Sequence, residues 1–374
     1  MQGLLGVSAV CCGGRAQRAE ARDGGTDQPF MLAAGLQVSY EMLNRLVPAV
    51  RGVRPRRLAF EVAAEHDGRM SAAGYESWFV SARDPGSPRA LWIRHTRHRS
   101  RNGRESAALW CTVVDRDLGQ RPVVVKQVFG AFPPEAAAGP GRFRGDAAMG
   151  ERSARWDLAI TGGQPPLRPL RPALLYRAPL PRTKVEASVP DGLVTGTLEV
   201  DGHMVGVSGW RGTAGHNWGS EHADSWVWVH AAGFGSAPQG WLDLVIARIR
   251  IGRARSPWAA MGALSLGGEP MPLGGLGRRP SVEAHPGWLA AAVPSPGARL
   301  ELRVTSGDDE AVAVAYADPP GGTRTVRHAA LAVVELTWHR RGDRELTTSS
   351  SGGVYEYGTR QVMGGIVAQS LPAG

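Results

Sequence analysis

The sequence predicts an all-β protein made of two consecutive antiparallel β-barrel or sandwich domains. Three observations carry that expectation. From Arg57 onward, apolar and polar residues alternate with a period of two over short runs, the pattern of half-buried strands. Turn signals such as Asp84-Pro85-Gly86 and the dipeptides Asp191-Gly192 and Asp201-Gly202 separate those runs. No Gly-rich loop follows a strand and opens a helix, so a nucleotide-binding α/β fold has no support.

Composition sets the outer bounds. A chain of 374 residues suits two domains of roughly 150–200 residues each. At 43% hydrophobic and 21% charged residues it is neither membrane-like nor globally disordered. No apolar run approaches the roughly 20 residues that span a bilayer, so no integral membrane segment is expected. The net charge of +9 comes almost wholly from arginine, since Lys126 and Lys184 are the only lysines. Arg97, Arg99, Arg101 and Arg104 form a local basic run beside His95 and His98, but its Ser/Asn/Gly-rich connection holds no aromatic on which a base could stack. No nucleic-acid partner is therefore expected.

Cys11, Cys12 and Cys111 make neither a disulfide framework nor a metal-ligand spacing. The apolar start through Val10 lacks a charged segment before it and makes a poor secretory signal. Residues 1–30 are expected to be a disordered leader, and the protein to be cytoplasmic; a homodimer is an admissible assembly.

Along the chain, a short helix is expected at Ser39–Leu46, stopped by Pro48. Strands follow at Leu58–Ala64, Tyr75–Ala82, Ala90–Thr96, Ala107–Val114 and Pro122–Val128. Alternation sets Tyr75, Ser77 and Phe79 on one face and Glu76, Trp78 and Val80 on the other. Trp92, Arg94 and Thr96 share a face, so Glu76, Trp78 and Arg94 are expected to line one interior if the register allows. Residues 131–150 read as a loop. The Pro-rich stretch 162–182 reads as a linker with an edge strand at Leu174–Tyr176, which puts the first domain at 31–180 and the second at 181–374. In the second half, strands are expected at Val185–Val189, Leu193–Val200, Met204–Trp210, Ser225–His230, Trp241–Ile251, Trp258–Leu266, Ala298–Val304, Ala311–Tyr316, Thr323–Trp338, Arg344–Thr347 and Tyr355–Arg360.

The chemistry concentrates at residues 201–234. Seven of the twelve tryptophans lie between Trp156 and Trp258, and Trp210, Trp218, Trp226 and Trp228 stand close to His216, Asn217, Glu221 and His222. Gly212, Gly215 and Gly219 suggest a sharp turn that aims His216 and His222 into one cavity. A histidine near neutral pKa exchanges protons, a half-buried glutamate stores one, and indole walls strengthen both. The candidate catalytic set is His216, Glu76, Glu221, His222 and Asp243. Trp78, Arg94, Trp210, Asn217, Trp218, Trp226 and Trp228 are the candidate ligand contacts. Trp226, Trp228 and His230 share one strand face.

Two other readings compete. His216, Glu221 and His222 are metal-ligand types, but the histidines stand six apart in a Gly-rich segment rather than as HExxH on a helix, so no metal is assigned. Alternatively the histidines tie a loop to the barrel and the indoles simply fill its core. There is no GxSxG elbow, and neither the cysteines nor Ser220 form a hydrolase pattern.

The segments YESWFVSARDP, ALWIRHT, GHNWGSEHADSWVWVHAAGF, WLDL and GVYEYG are similar to the two-domain lipocalin-like superfamily that includes carotenoid 1,2-hydratase (hydroxyneurosporene synthase), tocopherol cyclase and AttH-like proteins. The resemblance runs over about residues 55–362. It implies two lipocalin-like barrels with a lipophilic ligand near their junction, and acid–base chemistry without a redox cofactor. By that resemblance His216, Asn217 and Trp218 border the cavity and Glu76 faces it; no aspartate matches an established acid, and Asp224 and Asp243 are the candidates. The implied function is a cofactor-independent hydratase, cyclase or isomerase acting on a terpenoid- or polyketide-like molecule. A non-catalytic carrier of a lipophilic small molecule is the alternative.

Overall fold

The computed structural model describes residues 72–361 and Met363, apart from Gln120 and Pro140. The expected leader, the helix at 39–46 and the strand at 58–64 lie outside the described residues. Two antiparallel sheets account for nearly all of the rest.

The first sheet holds β1 (Gly74–Arg83), β2 (Arg89–Arg99), β3 (Glu105–Asp115), β4 (Val123–Phe129), β5 (Ala137–Gly139), β6 (Arg142–Met149), β7 (Arg152–Thr161), β8 (Thr183–Val200) and β9 (His203–Gly219). Its nine strands run in the order β4-β3-β2-β1-β9-β8-β7-β6-β5, and it curls until β4 approaches β6. Inside the curl, Trp78, Val80, Leu91, Ile93, Trp156 and Trp210 form one core.

The second sheet holds β10 (Ser225–Phe234), β11 (Ala237–Arg248), β14 (Ala259–Ser265), β15 (Met271–Gly274), β16 (Ser281–His285), β17 (Trp288–Ser295), β18 (Ala298–Thr305), β19 (Ala311–Ala317), β20 (Thr323–Arg340) and β21 (Leu346–Thr359). The short hairpin of β12 (Arg250–Ile251) and β13 (Ala254–Arg255) stands apart from it. The main path runs β15-β14-β11-β10-β21-β20-β18-β17-β16, with β19 laid on β20. Val227, Val229, Leu242, Leu244, Val334 and Tyr355 belong to its core.

Between the sheets lies a third apolar layer. Trp92, Trp110 and Val124 of the first sheet pack on Val312, Val314, Tyr316 and Val326 of the second, and Phe79 packs on Trp228 and Val354. Strands β1 to β4 each serve two cores through their period of two. Val80 points into the first sheet's curl, while Phe79 beside it meets the second sheet.

Four local expectations change. Residues 131–150 contain β5 and β6 rather than a loop: Phe143, Gly145 and Ala147 alternate inward, and Gly145 is where the Trp156 indole sits, a Cβ there meeting it at 2.5 Å. Ala173–Tyr176 forms a 3-10 turn with no buried residue instead of an edge strand, so nothing holds it extended against a sheet. The two strands expected at 185–189 and 193–200 are one strand, β8, bulged on either side of Val189. Finally, β8 and β9 complete the first sheet, so the chain changes sheets at residues 220–224 and not near residue 180.

The last of these bears directly on the site. His216–Gly219 is the end of β9, paired with β1 and β8 at once, and not a turn. Gly212 and Gly215 serve close approach: an added Cβ would lie 2.0 Å from the Ser81 carbonyl oxygen at the first and 2.4 Å from the Phe79 ring at the second.

Candidate functional site: an aromatic cavity between the sheets

A cavity of about 90 Å³ opens within the inter-sheet layer. Phe79 (β1), Trp92 (β2), Trp226 and Trp228 (β10) supply apolar walls, with Tyr75, Arg94, His222, Asp243, Tyr316 and Glu356 among its polar groups; Glu186 at its margin is paired with Arg168. Both tryptophans of β10 arrive together because Val227 and Val229 take the opposite face into the second core, as alternation predicts.

His222 lies in the crossover between β9 and β10, and an aspartate beyond β19 holds it. Asp318 accepts from the His222 backbone N–H at 2.9 Å and lies 3.1 Å from Nδ1. The Arg324 guanidinium pairs with the same carboxylate. A carboxylate only accepts, so the ring proton sits on Nδ1 and Nε2 carries the lone pair. Nε2 has no hydrogen-bond partner among the described residues. Tyr75 stacks on the ring at 3.9 Å with an 11° tilt. Burial lowers the His222 pKa despite Asp318, leaving a neutral imidazole at pH 7. For Asp318, burial pulls upward, but His222 and Arg324 outweigh it and keep the carboxyl ionised below the usual range.

Glu356 stands across the cavity on β21. It accepts from Trp226 Nε1 at 2.8 Å and from the Tyr316 hydroxyl at 3.0 Å, with His328 Nδ1 3.4 Å away. Burial alone would raise its pKa; His328, Trp226 and the charge of Arg94 reverse that and hold it low. Asp243 receives Trp228 Nε1 at 3.3 Å and lies 3.5 Å from His230 Nδ1. These carboxylates are anchored.

Arg94 differs. It is 6% exposed, donates from Nε to Ser77 Oγ at 2.7 Å, and lies 3.6 Å above the Tyr316 ring. No carboxylate pairs with it among the described residues. A cation–π contact contributes about 2 kcal/mol when desolvated, against a burial penalty of several kcal/mol for an ion.

The structure sorts the residues singled out from sequence. His222, Asp243, Arg94, Asn217, Trp226 and Trp228 line the cavity. His216, Trp218, Trp78 and Trp210 do not: from Trp210 onward the even-numbered positions of β9 face the first sheet's curl, where His216 stacks between Trp78 at 5.0 Å and Trp218 at 4.6 Å. Only Asn217 of that trio turns to the second sheet, so His216 and His222 do not share a cavity. Glu76 is on the Trp78 face, opposite Arg97. Because Phe79 pairs with Arg94 in register, Arg94 turns away from Trp78; Glu76 and Arg94 meet only at the rim of a smaller neighbouring pocket, and the three do not line one interior. Glu221 pairs with Arg182, Arg324 and Arg360, and Asp224 with Arg250, Arg255 and Arg360, so these acids brace the crossover. Among the described residues no group of three or more His, Cys, Asp or Glu side chains is arranged to hold a metal ion.

The candidate set drawn from sequence omits Tyr75, Tyr316, Asp318, His328 and Glu356. The one local signal was a charged residue inside an apolar strand, which Glu356 shares with Asp243. Asp318 is 96 residues from His222 and carries no mark of the pairing.

Fold and cavity together define an all-β protein of two β-sheet domains in the lipocalin-like arrangement. No protein-family model matches the chain. Over 171 residues it is 28% identical to an uncharacterized protein of Mycobacterium tuberculosis, matched in strains CDC 1551 and H37Rv, covering 44% of this chain and 50% of that one. The chain thus spans about half the length of the curated relatives it matches. Among solved structures it is similar to CghA (TM-score 0.50, 13% identity, 77% of this chain and 88% of that one). It is also similar to an AttH-type protein from Nitrosomonas europaea (TM-score 0.47, 16% identity, 83% and 100% covered). A third is kievitone hydratase from Nectria haematococca (TM-score 0.46, 9% identity, 77% and 89% covered). At such identities the likeness to CghA shows the fold alone.

Proposed function

We propose that the inter-sheet cavity binds a lipophilic small molecule and that the protein moves a proton on it, with His222 as the base. The observation that carries this is the buried His222–Asp318 pair: His222 lines the Trp-walled cavity, and its Nε2 has no hydrogen-bond partner among the described residues. Asp318 sets the tautomer and stabilises the imidazolium that forms when Nε2 takes a proton. Returning that proton to a different atom of the same molecule is an isomerisation or cyclisation and needs no redox partner. Delivering it with water is a hydration. The tryptophan faces suit a substrate that becomes transiently cationic.

A carrier without turnover is the second reading, favoured by a specific feature: Asp243, Asp318 and Glu356 each already hold hydrogen-bond donors, so none is an obvious acid. Fold likeness does not choose between these. One experiment does. The natively purified protein is extracted and its bound small molecules identified by mass spectrometry, and the recovered compound is incubated with fresh protein in D₂O. Deuterium incorporation or conversion by wild type, lost in His222→Gln with binding retained, supports the enzyme. Recovery of a compound that wild type leaves unchanged and unlabelled supports the carrier.

A further inference from the structure

Among the described residues three arginines are buried, and two have evident reasons to be there. Arg324 pairs with Asp318 and Glu221. Arg327 bonds Asp308, Ser306 and three backbone carbonyls. Arg94 has one hydroxyl and two aromatic faces, Tyr316 and Trp110 at 5.4 Å. Its guanidinium lines both the aromatic cavity and an adjoining annex of about 40 Å³, and Tyr75, His222 and Tyr316 form the shared wall. Around the annex stand Arg94, Arg97, His98 and Lys126, with Glu76 as its sole carboxylate among the described residues.

We propose that the ligand is a lipophilic acid, its carboxylate held by Arg94 in the annex and its apolar body lying against the tryptophans of the cavity. This rests on the small-molecule reading above and adds the class of molecule. An anion supplies what Arg94 lacks, a counterion out of water with a fork of donors to meet it. Glu356 does not fill that place, because it lies on the cavity side and is committed to Trp226 and Tyr316. The annex is large enough for a carboxylate and too small for a ring system. A head group so placed sets the adjoining carbons of the ligand beside the His222 ring.

The test uses the full chain and two probes of matched shape, geranate and geraniol, titrated at pH 7 by tryptophan fluorescence. Geranate should bind at least tenfold more tightly than geraniol. Arg94→Gln should bring geranate down to the geraniol value while changing geraniol less than twofold, and Arg94→Lys should fall between. Equal affinity of wild type for the two probes would overturn the acid head group and leave the lipophilic cavity standing. So would a correctly folded Arg94→Gln that still discriminates between them. Failure of both probes to bind at millimolar concentration would remove the cavity reading and the proposal together. Should Arg94→Gln not fold, the wild-type comparison and Arg94→Lys decide.

Discussion

Residue scale separates His222 from Glu356, two groups that titrate in one cavity and answer burial differently. An imidazole in apolar surroundings sheds its proton, so His222 stays neutral and basic at Nε2. A carboxylate in the same surroundings would gain one, but three donors keep Glu356 ionised. Glu356→Leu should therefore destabilise strongly, because it orphans the Trp226 and Tyr316 donors and the His328 ring, each unsatisfied group costing about 1–3 kcal/mol. We expect a loss of at least about 3 kcal/mol in urea unfolding. A change below about 1 kcal/mol would show that these groups find water. Asp318→Asn presents a donor or an acceptor to His222 and weakens the hold on the Nδ1 proton. Any turnover should fall at least tenfold with little change in ligand affinity, read as kcat against KM.

At the scale of elements, β9 shows how a strand divides one motif between two places. Its glycine content suggests a turn at Gly-His-Asn-Trp-Gly, but the strand is pinned on both sides, by β1 and by β8. In that setting each glycine is a point of close contact. Gly212→Ala should unfold the protein or lower its stability by about 3 kcal/mol or more, since the new Cβ meets backbone on β1. Gly206→Ala, with nothing within 4 Å, should change the melting temperature little. Circular dichroism melts of the pair check this, and similar losses in both would refute the close-approach argument. Strand faces were legible where alternation was clean, as in β1 and β10. They were illegible where register decided, as with Arg94, whose neighbours follow from its pairing with Phe79.

Taken as a whole molecule, the two sheets share an apolar layer, and that layer buries ionisable groups. His222 within it and His95 in the first sheet's curl are held below the ordinary 6.5 by burial, His95 at about 3. The unfolded chain takes up protons at these sites as pH falls through about 6.5, whereas the folded chain resists. Stability is thus complete above that pH and drains as pH falls from 6.5 toward 3. Asp318 and Glu356, with depressed values, withdraw their share only at the lower end. Melting temperature should fall between pH 7.5 and pH 5, and His95→Gln should reduce the slope. A flat wild-type profile would contradict the assignment.

The all-β class, the antiparallel sheets, most strand positions and the aromatic wealth of residues 201–234 are written in the local order of residues, because they rest on alternation and turn chemistry between near neighbours. The same local order singles out His222, Asp243, Arg94, Asn217, Trp226 and Trp228. It took the folded arrangement to show that β8 and β9 close the first sheet, that His216 turns away from the cavity, and that Asp318, Tyr316 and Glu356 meet His222 and Arg94 there. Those outcomes depend on register and on contacts between residues far apart in the chain, and a period of two is silent on which strand lies next to which.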